Sequence, residues 1–118
     1  MFLDRLETVI DRIGGARALS LVARDGIPVE SILRDESIDM EILAAELMSQ
    51  VRAITQNHEE LAVGAVRHLS VATDELGLMV SALTGDYYLL AVLDTSSSVG
   101  RARFELRRAV LLFEDDLL

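Results

Sequence analysis

The chain is 118 residues long, 51% hydrophobic, with one proline and seven glycines; that is material for a single domain, residues 1–118, burying about two-thirds of its unfolded surface. Its formal charge of -9 argues against binding nucleic acid and disfavours anionic membranes. It has no cysteine, and all eleven basic residues are arginine, which excludes disulfides, thiolate metal sites and any chemistry that needs a lysine amine.

The opening "MFLDRLETV" places Asp4 and Glu7 where a signal peptide carries positive charge followed by an unbroken apolar stretch. No apolar run approaches the ~18 residues of a membrane span. A cytoplasmic protein without membrane insertion is expected. Phe2, Leu3, Leu6, Val9, Ile10 and Ile13 recur at helical spacing, and Gly14-Gly15 stops that helix. From Leu19 to Leu33 two alternating runs are joined by Asp25-Gly26, a pair that tolerates the positive φ angles of a tight hairpin. Pro28 lacks an N–H, which puts the second strand at a sheet margin.

A second helix follows from about Met40 to Asn57, with Met40, Ala44, Leu47, Val51 and Ile54 along its sheet-facing side. From Ala65 to Asp94 the pattern gives three strands, "AVRHLSVAT", "LGLMVSALT" and "YYLLAVLD", separated by Asp74-Glu75 and Gly85-Asp86. The last is almost wholly apolar, as a central strand covered on both faces would be. The first, carrying Arg67 and His68, reads as the other edge. "TSSS" then offers hydroxyl caps to a third helix with a core stripe of Val99, Ala102, Leu106, Ala109, Val110 and Phe113. The order αββαβββα implies an α+β fold, a five-stranded antiparallel sheet with helices on its faces.

Catalytic patterns are lacking. His58 and His68 have neither zinc-ligand spacing nor a carboxylate cluster beside them. Ser96, Ser97 and Ser98 have no G-x-S-x-G elbow, and helix capping is their expected use. Glu59-Glu60 and Asp115-Asp116 are neighbours that point apart and read as solvated charge. No enzyme activity, cofactor or metal is therefore expected.

Surfaces remain. Opposite its sheet-facing stripe the second helix carries Ile42, Ala45, Ser49 and Ala53. These are either helix formers on a solvated face or a close contact with another chain. Arg67, His68 and Ser70 lie on an edge strand that a two-fold dimer would cover. Phe104 and Leu111 point outward from the third helix, flanked by Arg101 and Arg108, which either pair weakly with Glu105 or Glu114 or meet a partner. Arg52 and Gln56, late in the second helix, complete the candidate partner surface.

"SLVARDGIPVES", "LGLMVSALTGDYYLLAVLD" and "SSSVGRARFELRRAV", in that order and spacing, resemble the Roadblock/dynein light chain family, especially its bacterial MglB-like branch. The likeness spans essentially the whole chain. It implies a profilin-like fold with sheet order 2-1-5-4-3. It also implies homodimers in which second helices lie side by side and third strands pair, and a Ras-like small GTPase of the MglA type as partner. The role so implied is that of a GTPase-activating or co-regulating protein without catalytic groups of its own; the alternative is a structural scaffold for signalling or motor complexes. The chain ends at Leu118, directly after its last helix. It lacks the C-terminal extension of some partner-binding members, so a GTPase contact is expected to be weaker or differently arranged.

Overall fold

The run Leu89 to Leu93 is buried on both sides of the strand, and this decides the architecture. In the computed structural model, which describes residues 2–117, it belongs to β5 (Tyr87–Asp94), the middle of a five-stranded sheet. The side chains of His58, Glu59, Asp115 and Asp116, read from the sequence as plain histidine or solvated charge, lie outside the described residues. The sheet order is β2-β1-β5-β4-β3, with β1 (Ala16–Ala23), β2 (Pro28–Leu33), β3 (His68–Ala72) and β4 (Leu76–Ala82). All neighbours run antiparallel. The edge positions of β2 and β3 and the centrality of β5 agree with the sequence pattern.

Helices cover both faces. On one, Leu6, Val9 and Ile10 of α1 (Phe2–Arg12) and Ala102, Leu106, Ala109 and Phe113 of α4 (Val99–Leu117) pack on Leu19, Leu21, Met79, Leu89, Ala91 and Leu93. Phe2 and Phe113 stack across the two helices with ring centroids 6.3 Å apart. On the other face, Met40, Ala44, Leu47, Met48 and Val51 of α2 (Met40–Gln56) pack on Ala18, Val22, Leu78, Val80, Leu90 and Val92. Each fully buried Leu, Val, Met or Phe contributes about 1.5–3 kcal/mol, so these two layers supply most of the driving force. Ser20, the buried polar residue of β1, is satisfied by the Ser31 hydroxyl at 2.8 Å and the Glu30 carbonyl at 3.1 Å.

Four local expectations change. The Asp25-Gly26 turn is a three-residue loop: the Gly26 N–H donates to the Ala23 carbonyl at 2.9 Å and the Ala23 N–H to Ile27 at 3.1 Å. Only Gly26 takes a positive φ there, at 91°, while the Asp25 carboxylate accepts the Ile27 N–H at 3.0 Å. The third strand is shorter than "AVRHLSVAT", because the chain is still turning through Ala62 (φ 55°) and Gly64 (φ 76°). Arg67 therefore precedes β3, though its carbonyl accepts the Ala82 N–H at 2.9 Å. A one-turn helix, α3 (His58–Leu61), follows α2. Finally Val99 is exposed, lining an open apolar cleft with Leu76, Leu78 and Leu93 instead of closing the core.

Gly26 is constrained twice. A Cβ there would lie 3.3 Å from Ala45 Cα on α2, and the backbone conformation is left-handed. Gly26→Val is expected to cost about 1–3 kcal/mol in urea unfolding. Gly14→Ala, where a Cβ meets nothing within 4 Å, should change stability by under about 0.5 kcal/mol.

Candidate protein interface

The Asp39 carboxylate accepts the Ile42 N–H at 3.1 Å, capping α2 at the start of its apolar period. With Met40, Ala44, Leu47, Met48 and Val51 turned to the sheet, Ile42, Ala45, Ser49 and Ala53 are left on the exposed side, Ile42 at 66% exposure. The outward face thus carries three small residues and Ile42, with Glu46 and Gln50 exposed beside them. Met48 joins the buried stripe beside the residues read from the sequence, while Ile54 is only half-buried. Gln56 is exposed at the helix end, and Arg52 is tied down by an Nη1 hydrogen bond to the Arg24 carbonyl at 2.8 Å. Arg52 thereby fastens α2 to the β1–β2 turn.

On β3 the register sorts the side chains. His68 pairs with Ser81 and Ser70 with Met79, so both lie on the face covered by α4; Leu69 and Val71 pair with Val80 and Leu78, on the α2 face. His68 Nε2 and Ser70 Oγ are 2.6 Å apart. Arg67, exposed, sits just before the strand. Burial pushes the His68 pKa below its usual 6.5, and the nearby Arg103 and Arg107 guanidiniums push it further the same way. The edge histidine therefore stands in a cationic setting built by α4.

α4 starts where the Ser98 hydroxyl accepts the Arg101 N–H at 3.2 Å, the capping role expected of the serine run. Ser97 donates to the Gly14 carbonyl at 2.8 Å, anchoring the helix entry to the end of α1. Helical spacing then divides the arginines into two sets. Arg101 donates to the Arg12 carbonyl at 3.2 Å, and Arg108 pairs with Glu105 at 3.2 Å, so the cations expected beside Phe104 serve their own subunit. Glu105 is not a surface carboxylate: it is only 2% exposed, and its second oxygen has no partner among the described residues. Arg103 and Arg107, on the opposite flank, form no ion pair with any described residue. Between the flanks, Phe104 and Leu111 stand 58% and 74% exposed. The sequence reading missed Arg103 and Arg107, although the four-residue spacing inside "RARFELRR" separates them from Arg101 and Arg108.

Among the described residues no three His, Asp or Glu side chains gather as metal ligands, and no helix is long and apolar enough to cross a membrane. What the arrangement offers is an open strand edge, an exposed helix face with Ile42 and three small residues, and a cationic, apolar ridge.

No protein-family model matches the sequence, and no curated protein matches it. Solved structures do. A Roadblock/LC7 domain from Streptomyces avermitilis superimposes with a TM-score of 0.83, covering 96% of this chain and 94% of its own at 17% identity. The chain has the Roadblock/LC7 fold. The gliding protein MglB from Thermus thermophilus superimposes on this chain with a TM-score of 0.84, covering 98% of it and 87% of MglB at 18% identity. MglC from Myxococcus xanthus reaches 27% identity with a TM-score of 0.71, over 98% of both chains. An Acanthamoeba castellanii profilin aligns at 0.61 and 15% identity, over 87% of this chain and 88% of its own, which makes the sheet profilin-like. The resemblance to the Roadblock family and its MglB-like branch is thus matched by solved structures of both.

The Roadblock/LC7 sheet also carries a pH signature at its β3 edge. Because His68 binds a proton less well folded than unfolded, the unfolded chain holds more protons between the lowered value and 6.5. Stability from this group is present above about pH 6.5 and is lost as pH falls through that window. Urea unfolding at about pH 7.5 and about pH 5.5 should show a smaller acid loss in His68→Gln than in the parent chain. An equal loss in both would remove His68 from the account.

Proposed function

We propose that this chain is a non-enzymatic, homodimeric regulator of a Ras-like small GTPase of the MglA type, acting in the cytoplasm. The observation that carries the dimer is the coincidence of two unfilled valences: β3 is hydrogen-bonded on one side only, by β4, and α2 turns Ile42, Ala45, Ser49 and Ala53 outward. An exposed edge strand is normally paired or blocked. A two-fold axis running past β3 satisfies its backbone and brings two small helix faces together. Arg67, His68 and Ser70 then border the junction.

Support for the GTPase role comes from likeness to MglB and MglC together with the family resemblance carried by the hairpin, the last strand pair and the last helix. The dimer would act as a platform that shapes the switch regions of its partner, leaving the hydrolytic chemistry to the GTPase. Arg52 and Gln56 at the end of α2 and the outward residues of α4 are the surface offered to that partner. Arg101 and Arg108 contribute through the shape they give α4, since both are engaged within the subunit.

Ser49→Arg and Ala53→Glu place charge in the close helix contact and should move the species from dimer to monomer in light scattering. Unchanged mass in both would remove α2 from the interface. Mixing the chain with the small GTPase encoded nearest to it should yield a complex and an altered rate of GTP turnover. Complex formation with other proteins and no effect on turnover would point to a scaffold.

A further inference from the structure

The outward side of α4 carries two features that the fold leaves unused. Phe104 and Leu111 are large, apolar and mostly exposed, seven residues apart on the same side of the helix. Arg103 and Arg107 lie one turn apart on the adjoining flank, about 6 Å from one another by helix geometry, and like charges at that spacing repel. The chain has twenty carboxylates for eleven arginines. Arg17, Arg24, Arg34 and Arg108 each take one or more, yet Arg103 and Arg107 have none among the described residues. A local excess of positive charge thus persists within an acidic molecule.

We propose that this face of α4 docks an amphipathic, acidic helical segment of a partner protein, with Arg103 and Arg107 taking its carboxylates and Phe104 and Leu111 its apolar side chains.

Charge and geometry choose this occupant over others. A long polyanion, whether nucleic acid or a charged bilayer, would meet the surrounding -9 as well as the patch. A short segment meets the patch alone. Two carboxylates four residues apart on a helix repeat the spacing of Arg103 and Arg107, so each guanidinium can take one in a bidentate grip. Apolar residues beside them on the same helix would cover Phe104 and Leu111, a helix on a helix at the usual 8–10 Å separation. The sheet separates this face from α2, while Arg103 and Arg107 stand near His68 of β3, so a second copy paired at β3 would border their flank. The inference rests in part on the proposed function, which offers the same outward residues of α4 to a partner, but the peptide titration below reads this face without a GTPase, so the two can fail separately.

The test uses a fluorescein-labelled helical peptide of about 16 residues with glutamates four apart and leucines on the same face, titrated with the full chain by anisotropy. Binding should weaken about tenfold or more in the Arg103→Glu, Arg107→Glu double variant, and comparably when the peptide glutamates become glutamine. A peptide with lysines in place of the glutamates should bind the double variant better than the parent chain. Since both arginines are exposed, the variant should keep its circular dichroism spectrum and its mass. Equal binding by parent and variant, or preference for phosphatidylserine vesicles or polyphosphate over the peptide, overturns the proposal, as does no binding by the parent chain.

Discussion

A sheet buried on both faces can show its backbone to another molecule only at its margins, and that constraint organises this protein. Leu89 to Leu93 commit β5 to two apolar layers, one under α1 and α4 and the other under α2. With both faces used, the remaining unpaired N–H and C=O groups of the sheet are confined to β2 and β3. The β2 margin is partly disarmed by Pro28, which has no N–H to offer. The Ser20–Ser31 hydroxyl contact and the Arg34 and Asp35 amides, both donating to the Arg17 carbonyl, hold the same region to β1. β3 has no proline and is only five residues long. It is the margin where association costs least.

Salt bridges in this chain follow the same geometry. Arg17 stands at the register shift between Ala16 and Ala18 and pairs with Asp94 of β5 and, at 3.4 Å, with Asp35 beyond β2. Asp35 is itself held below the usual carboxylate range by hydrogen bonds from the Ser37 hydroxyl and N–H, with Arg17 adding to the effect. Arg34 pairs with Asp11 of α1, and Arg24 with Asp86 at 3.7 Å. These partly exposed pairs are each worth little on their own. Their effect is to fix which loops lie beside which strands, and Arg17, Arg24 and Arg34 are engaged in doing so.

Much of this was legible in the sequence because it depends on period and on turn chemistry. Alternation located the strands, the step of three and four residues located the helices, and Pro28 and the apolar run of β5 ranked the strands from edge to centre. What period alone could not show is where a side chain goes when its helix has neighbours on one flank. Val99 continues the α4 stripe by spacing but lies beyond the reach of α1, so it is exposed. Glu105 breaks the stripe by residue type and is buried nonetheless, because its flank is the one turned to α1. The three-residue turn at Gly26 depended on a hydrogen bond from Ile27 to Asp25 that no dipeptide preference specifies. On α2 the exposed face was readable, and so was the capping of α4. The division of the arginines was readable only in part: spacing sets Arg103 and Arg107 apart and offers Glu105 to Arg108, but the Arg12 carbonyl that holds Arg101 is a tertiary acceptor.

That division carries an energetic argument. On the α1 flank, Arg5 donates to the Leu112 carbonyl at 2.7 Å and Arg101 to the Arg12 carbonyl, tying α1 to α4, while Arg108 donates to Glu105 within α4. Drawing Arg108 toward a partner would leave Glu105 buried with neither oxygen satisfied. An unsatisfied buried group costs on the order of 1–3 kcal/mol, more when charged. Any partner recruiting Arg108 must first overcome that loss. Arg103 and Arg107 carry no such obligation, and relieving their mutual repulsion adds to whatever an incoming carboxylate gains. The two flanks of a single helix thus divide the work: one is bound to the fold, and the other is available to a partner.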